Sequence, residues 1–111
     1  LVKLDNYLKD KKMSLENNTK LIIEKTAGVT DLNKKVKFDL TDEGIIHIDA
    51  TVTPPSVSNN DLDADVTFVL SQENFEGLID GSLNPQMAFM MGKLKIEGDM
   101  GLALKLADIF E

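Results

Sequence analysis

The side chains able to do chemistry are few and badly placed for it. His47 is the one histidine of the chain, and there is no cysteine. Zinc-thiolate sites, disulfides and thiol nucleophiles are therefore ruled out, and a single imidazole does not make a metal site. His47 falls on the polar phase of an alternating stretch, which predicts a solvated or surface-paired ring. Carboxylates are abundant, but Asp39, Asp42, Glu43, Asp49, Asp61, Asp63 and Asp65 fall in turns or on outward strand phases. A general acid–base pair needs at least one carboxylate in a desolvated niche, and none of these interrupts an apolar stripe. Gly92, Gly98 and Gly101 follow a helix, a strand and a helix cap, not the strand-to-helix turn of a phosphate cradle. The expectation is a chain with no catalytic residues, no metal and no cofactor, and not an enzyme in its own right.

The pattern that does stand out is apolar. Four of the five methionines, Met87, Met90, Met91 and Met100, fall in one short stretch, near Phe75, Leu78, Ile79, Phe89 and Phe110. Adjacent Met90 and Met91 cannot face a core at the same angle of a helix. The last helical stretch is apolar around more of its circumference than the roughly 100° stripe of an ordinary surface helix. Two readings fit: methionines filling an irregular core, or an adaptable apolar cavity under a helical lid.

The elements that would position these residues follow from periodicity. Leu1 to Lys12 is charged and only loosely helical, a lead-in or linker remnant over residues 1–13. Ser14 is placed to cap a helix running to Ala27, stopped by Gly28. Val36, Phe38 and Leu40 alternate as a strand, and a turn at Thr41–Gly44 leads to a second strand from Ile46 to Val52, which Pro54 and Pro55 end. A short edge strand at Ser56–Ser58 and a strand at Val66–Leu70 follow. Ser71 caps a helix closed by Gly81, and Asn84-Pro85 opens a short helix to Met91. Lys93–Glu97 is a strand, Gly98 breaks it, and Asp99 caps a last helix toward Phe110. This order predicts an α+β domain, one sheet with helices packed on a single face.

Composition agrees with one domain. At 111 residues, 42% hydrophobic and 28% charged, the chain suits a single globular unit. A net charge of −7 argues against nucleic acid, whose binding needs a basic surface. It also disfavours steady adhesion to anionic membranes but leaves room for a transient membrane contact through a local patch. No apolar run has the length of a membrane span. No signal peptide stands at Leu1 and no Ser-Lys-Leu address at Glu111, where the helical pattern is still running; the segment reads as an excised domain.

The run from Gly81 to Ala103, with Pro85, Ala88, Phe89, Gly92, Lys93, Leu94, Ile96, Gly98 and Met100 at their spacings, resembles the signature of the sterol carrier protein 2 family. The pattern G-x-x-x-P-x-x-A-F-x-x-G-K-L-x-I-x-G-x-M-x-x-A is met at each fixed position. Ala64 to Phe68 and Phe75 extend the likeness upstream, so it covers about residues 61 to 107. It implies a five-stranded, mostly antiparallel sheet covered on one face by helices, with an apolar tunnel between them, in a domain over residues 14–111. It also implies binding and intracellular transfer or presentation of sterols, fatty acids, fatty acyl-CoA or phospholipids, in peroxisomes or cytoplasm. Relatives occur alone or fused to catalytic or membrane-anchoring domains. An accessory lipid-binding role in a multidomain lipid-metabolising enzyme, or a protein-interaction module, is the alternative. The lipid-binding residues expected are Phe68, Leu70, Phe75, Leu78, Ile79, Met87, Met90, Met91, Leu104 and Phe110. Two departures bear on headgroup preference: Met91 where many relatives have Gln, and Asp99 where many have Asn.

Overall fold

The computed structural model describes residues 15–107; the expected cap at Ser14, the lead-in before it and Phe110 lie outside the described residues. A helix, α1, covers 15–26 and buries Ile22. Five strands follow: β1 (Lys35–Asp39), β2 (Ile45–Asp49), β3 (Ser56–Ser58), β4 (Val66–Leu70) and β5 (Leu94–Gly98). Between β4 and β5 stand α2 (Gln72–Asp80) and α3 (Pro85–Met90), and α4 (Met100–Ala107) comes last.

The strands form one sheet in the order β3-β2-β1-β4-β5. Every pairing is antiparallel except β1 with β4, which run parallel with Phe38 opposite Phe68. Val36 and Phe38 of β1 and Val66, Phe68 and Leu70 of β4 all point to one face, as period-2 alternation requires. There they share a single core with Ile22, Phe75, Leu78, Ala88, Leu102, Ala103 and Leu106 from the four helices. The helices therefore lie on one side of the sheet.

Local chemistry sets the helix ends. The Ser71 hydroxyl accepts from the Asn74 amide at 3.1 Å, and Gly81 closes α2 in the left-handed region at φ 84°. Asn84 accepts from the amides of Gln86 and Met87, ahead of Pro85 at the first helical position. Asp99 accepts from the Leu102 amide at 3.0 Å. That cap asks only for a side-chain oxygen, which Asp supplies as well as Asn.

Two expectations are corrected. The second strand ends at Asp49, before the prolines, because Asp49 turns the chain by accepting from both the amide and the hydroxyl of Thr51. Those bonds also hold the Asp49 carboxyl below its ordinary pKa. His47, expected at the surface, is only 3% exposed. It does point away from the helical face, but the loop between β3 and β4 crosses over it, and its Nε2 lies 2.9 Å from the Asp63 carbonyl. The same loop is tied to β1 by an ion pair of Asp61 with Lys37 at 2.8 Å and by Asp65 accepting from the Lys35 amide at 2.8 Å. Strand periodicity reports the face a side chain takes and carries no information on a loop arriving from elsewhere. His47→Ala is expected to cost about 1–3 kcal/mol by orphaning the Asp63 carbonyl, read from the urea midpoint. An unchanged midpoint would mean the loop is held by its other contacts, those to Lys35, Lys37 and, through Asn59, to the Ile45 carbonyl.

Candidate functional site

An apolar cavity of about 160 Å³, partly open to solvent, lies between the β4–β5 end of the sheet and the helices α2, α3 and α4. Phe38, Phe68, Leu94 and Ile96 make its floor, one residue from β1, one from β4 and two from β5. Leu78, Pro85, Phe89 and Met90 form one wall, and Met100, Ala103, Leu104 and Ala107 form the roof. Among the described residues, Gln86 is the sole polar side chain in the lining, and no titratable group lines the cavity. The described lining offers no acid, base or nucleophile to a bound molecule. It can do one thing well, which is to take apolar surface out of water.

The roof follows from the sequence of α4. Met100, Ala103, Leu104 and Ala107 recur at i, i+3, i+4 and i+7 and face the cavity, whereas Leu102 and Leu106 are buried in the core. The helix is apolar around so much of its surface because it serves two apolar volumes. Small residues at 103 and 107 leave the room that larger ones would fill.

Of the residues expected to bind, Phe68, Leu78, Met90 and Leu104 line this cavity. Leu70 and Phe75 are packed in the core instead, Phe75 edge-on to Phe38 at a ring separation of 5.4 Å, and Ile79 is half-buried against that core. Met87 and Met91 are exposed on α3 and do not line the cavity. Phe110 lies outside the described residues. Met91 sits at the C-terminal end of α3, so the change from Gln alters the rim of the site and leaves its interior as it was.

Sequence reasoning missed Phe38, Pro85, Gln86, Phe89, Leu94, Ile96, Met100, Ala103 and Ala107 as lining residues. The alternation of β1 and β5 and the i, i+3, i+4, i+7 series in α4 carried a signal for most of them. Gln86 and Pro85 gave none.

The rim is more apolar than a free surface usually is. Met90 is 80% exposed and Leu104 60%, with Met87, Phe89, Met91 and Met100 also exposed about the same helices. Between Asp80 and Glu97 the chain has no acidic residue and two lysines, Lys93 and Lys95, against a net charge of −7 for the whole. Lys95 pairs at the surface with Glu97 at 3.9 Å. Among the described residues, no helix is long and apolar enough to cross a membrane.

A family model described as the SCP-2 sterol transfer family matches residues 8–111. Sterol carrier protein 2 of Homo sapiens is 49% identical over 51 residues, which is 46% of this chain and 9% of that protein. Hydroxysteroid dehydrogenase-like protein 2 of Danio rerio is 43% identical over 74 residues, 63% of this chain and 18% of that protein. The chain thus spans less than a fifth of the length of these relatives. Among solved structures, the sterol carrier protein domain 2 of Helicoverpa armigera is 37% identical, with a TM-score of 0.61 over 95% of this chain and 83% of that one.

Proposed function

Because the chain belongs to the SCP-2 sterol transfer family, we propose that it takes a lipid into the cavity under α3 and α4 and carries or presents it, catalysing no reaction itself. The observation that carries this reading is a partly open cavity lined by apolar side chains and one amide, with exposed methionines at its rim. Fatty acids, fatty acyl-CoA, sterols and phospholipids share the property the cavity selects, an apolar body with a polar end. Among the described residues no charged side chain lines the cavity, so the headgroup stays outside, since burying an unpaired charge costs several kcal/mol. The cargo therefore enters tail first.

Size sets how much of it is enclosed. An apolar cavity of about 150 Å³ holds a benzene-sized group, so this one encloses about the last half-dozen carbons, and the remainder lies along Met90 and Leu104. Each buried methylene is worth about 0.8 kcal/mol relative to water. Measured from a bilayer the transfer is nearly neutral, which suits a carrier that must let its cargo go.

Loading requires the mouth to meet a bilayer, and the rim suits a transient membrane contact. Exposed methionines and Phe89 can enter the interface while Lys93 and Lys95 meet anionic headgroups, at about 1 kcal/mol per lysine. The binding unit is residues 14–111, with 1–13 leading into it, working inside the cell in cytoplasm or peroxisome as the family likeness implies. A second reading is favoured by the length of the relatives: the unit serves as the lipid-binding part of a larger lipid-metabolising enzyme.

The test is titration of the purified chain with a fluorescent long-chain fatty acid, followed by transfer of that probe from neutral to anionic vesicles. Saturable binding and faster transfer are expected. Lys93→Glu/Lys95→Glu should keep the probe affinity and weaken association with anionic vesicles by at least about thirtyfold. A ligand-free mass in native mass spectrometry together with no binding on titration would overturn the reading.

A further inference from the structure

We propose that Phe38 is a partition that splits one apolar channel in two and so sets the length of hydrocarbon chain the protein accepts, an inference that rests on the lipid-binding reading above. Beyond the main cavity, toward β2, lies a second and smaller apolar void of about 20 Å³. Val36, Ile48, Ala50 and Pro55 border it on the sheet side, with Leu32 and Leu106 closing it. Phe38 lines both spaces.

The geometry places this ring between them. Phe38 stands on the central strand β1, with the main cavity over β4 and β5 on one side and the second void over Val36 and Ile48 on the other. Overhead, α4 turns Ala103 and Ala107 to the cavity and Leu106 to the void. The ring is 1% exposed, stacked on Phe68 at 5.3 Å with 19° between planes and held edge-on by Phe75. Two aromatic neighbours fix it in place, so a chain end entering from the α3 side stops against it. Past the ring the surroundings remain apolar. The one hydroxyl there, of Thr26, donates to the Ile22 carbonyl at 2.7 Å and presents no unpaired donor. A chain end reaching that far would displace no polar partner.

Removing the ring should join the two spaces, and a longer tail should then gain from each further methylene. The experiment is displacement of a bound fluorescent fatty acid by a homologous series of saturated fatty acids, from short to long. It is run on the wild-type chain, Phe38→Ala and Phe38→Leu, each first checked for cooperative thermal unfolding. Wild-type affinity should rise by up to about fourfold per added methylene and then level off. In Phe38→Ala the levelling should move to longer chains, and in the milder Phe38→Leu it should move the same way by less. Adding Ala50→Leu to Phe38→Ala refills the second void and should bring the wild-type limit back, an outcome that general loosening of the core would not give. Folded Phe38 variants with the wild-type length profile would overturn the partition while leaving lipid binding intact. Failure of the wild-type chain to bind any member of the series would instead remove the lipid-binding reading itself, and the partition with it.

Discussion

Gly98→Ala is expected to lose about 3 kcal/mol of stability, measured as a fall in the urea midpoint at constant slope. Gly98 ends β5 opposite Val66, with φ at 96°, a region that costs an L-residue about 1–3 kcal/mol. Strain is only part of the effect. A Cβ there would collide with the Asp65 carbonyl oxygen and come 3.3 Å from Val66 Cα. Those are backbone atoms at the start of β4, an interior strand, and they cannot rotate away as a side-chain tip would. The same Asp65 carbonyl accepts from the Asp99 amide at 2.9 Å, so relief by moving it breaks the bond that starts α4. β5 is left to slide along the sheet edge, and it carries Leu94 and Ile96 of the cavity floor. Weaker binding of a fluorescent fatty acid should therefore accompany the loss of stability. A change below about 1 kcal/mol would mean that β5 shifts freely, and that the floor is softer than its pairing with β4 implies.

Ala103→Phe is expected to do the opposite, abolishing binding while the fold survives. Ala103 is buried in the roof, and its Cβ faces the open cavity. A benzyl group there takes the room of about four methylenes of cargo, each worth about 0.8 kcal/mol. Affinity for a long-chain fatty acid should fall by at least about a hundredfold on that basis. Ala103 also belongs to the core, so part of the ring meets packed atoms and the stability cost should lie within the roughly 1–3 kcal/mol of overpacking. Leu78→Ala, by contrast, opens the wall and should cost about 2–5 kcal/mol. Undiminished binding in Ala103→Phe would place the cargo elsewhere.

The architecture was legible because its signals are local. Ser71, Asn84 and Asp99 cap helices through their own oxygens, Gly81 closes one, and the alternation in β1, β4 and β5 marks a single buried face. The family likeness rested on the same stretch, since Gly98 must lie against a neighbouring backbone and Pro85 must open a helix. The site was legible only in part. Phe75 and Leu78 have the same spacing and polarity, yet one is walled in by Phe38 while the other borders the cavity. Helical periodicity gives the face a residue takes and not what stands behind it. Met87 within α3 and Met91 at its end are exposed, while Ala103 and Ala107 leave the cavity open by being small, a property no hydrophobicity pattern flags. His47 failed for the reason given by its loop: burial came from residues far along the chain.

The parallel seam between β1 and β4 has a consequence for the order in which the molecule acquires its function. Residues 35–58 can form β1, β2 and β3 as an antiparallel meander, and 66–107 hold β4, α2, α3, β5 and α4. Within the sheet, only the seam joins the two halves, and its partners are about 30 residues apart in the chain. The β4–β5 pairing spans a similar stretch, from Val66 to Gly98, and each waits on the closing of a long loop, whose entropy is lost before the contacts compensate it. Phe38 meets Phe68 across that seam, so the cavity has no complete floor until it closes. A complete floor therefore needs both long-range pairings, and a chain that has made only one of them presents an open apolar half-sheet in place of a container.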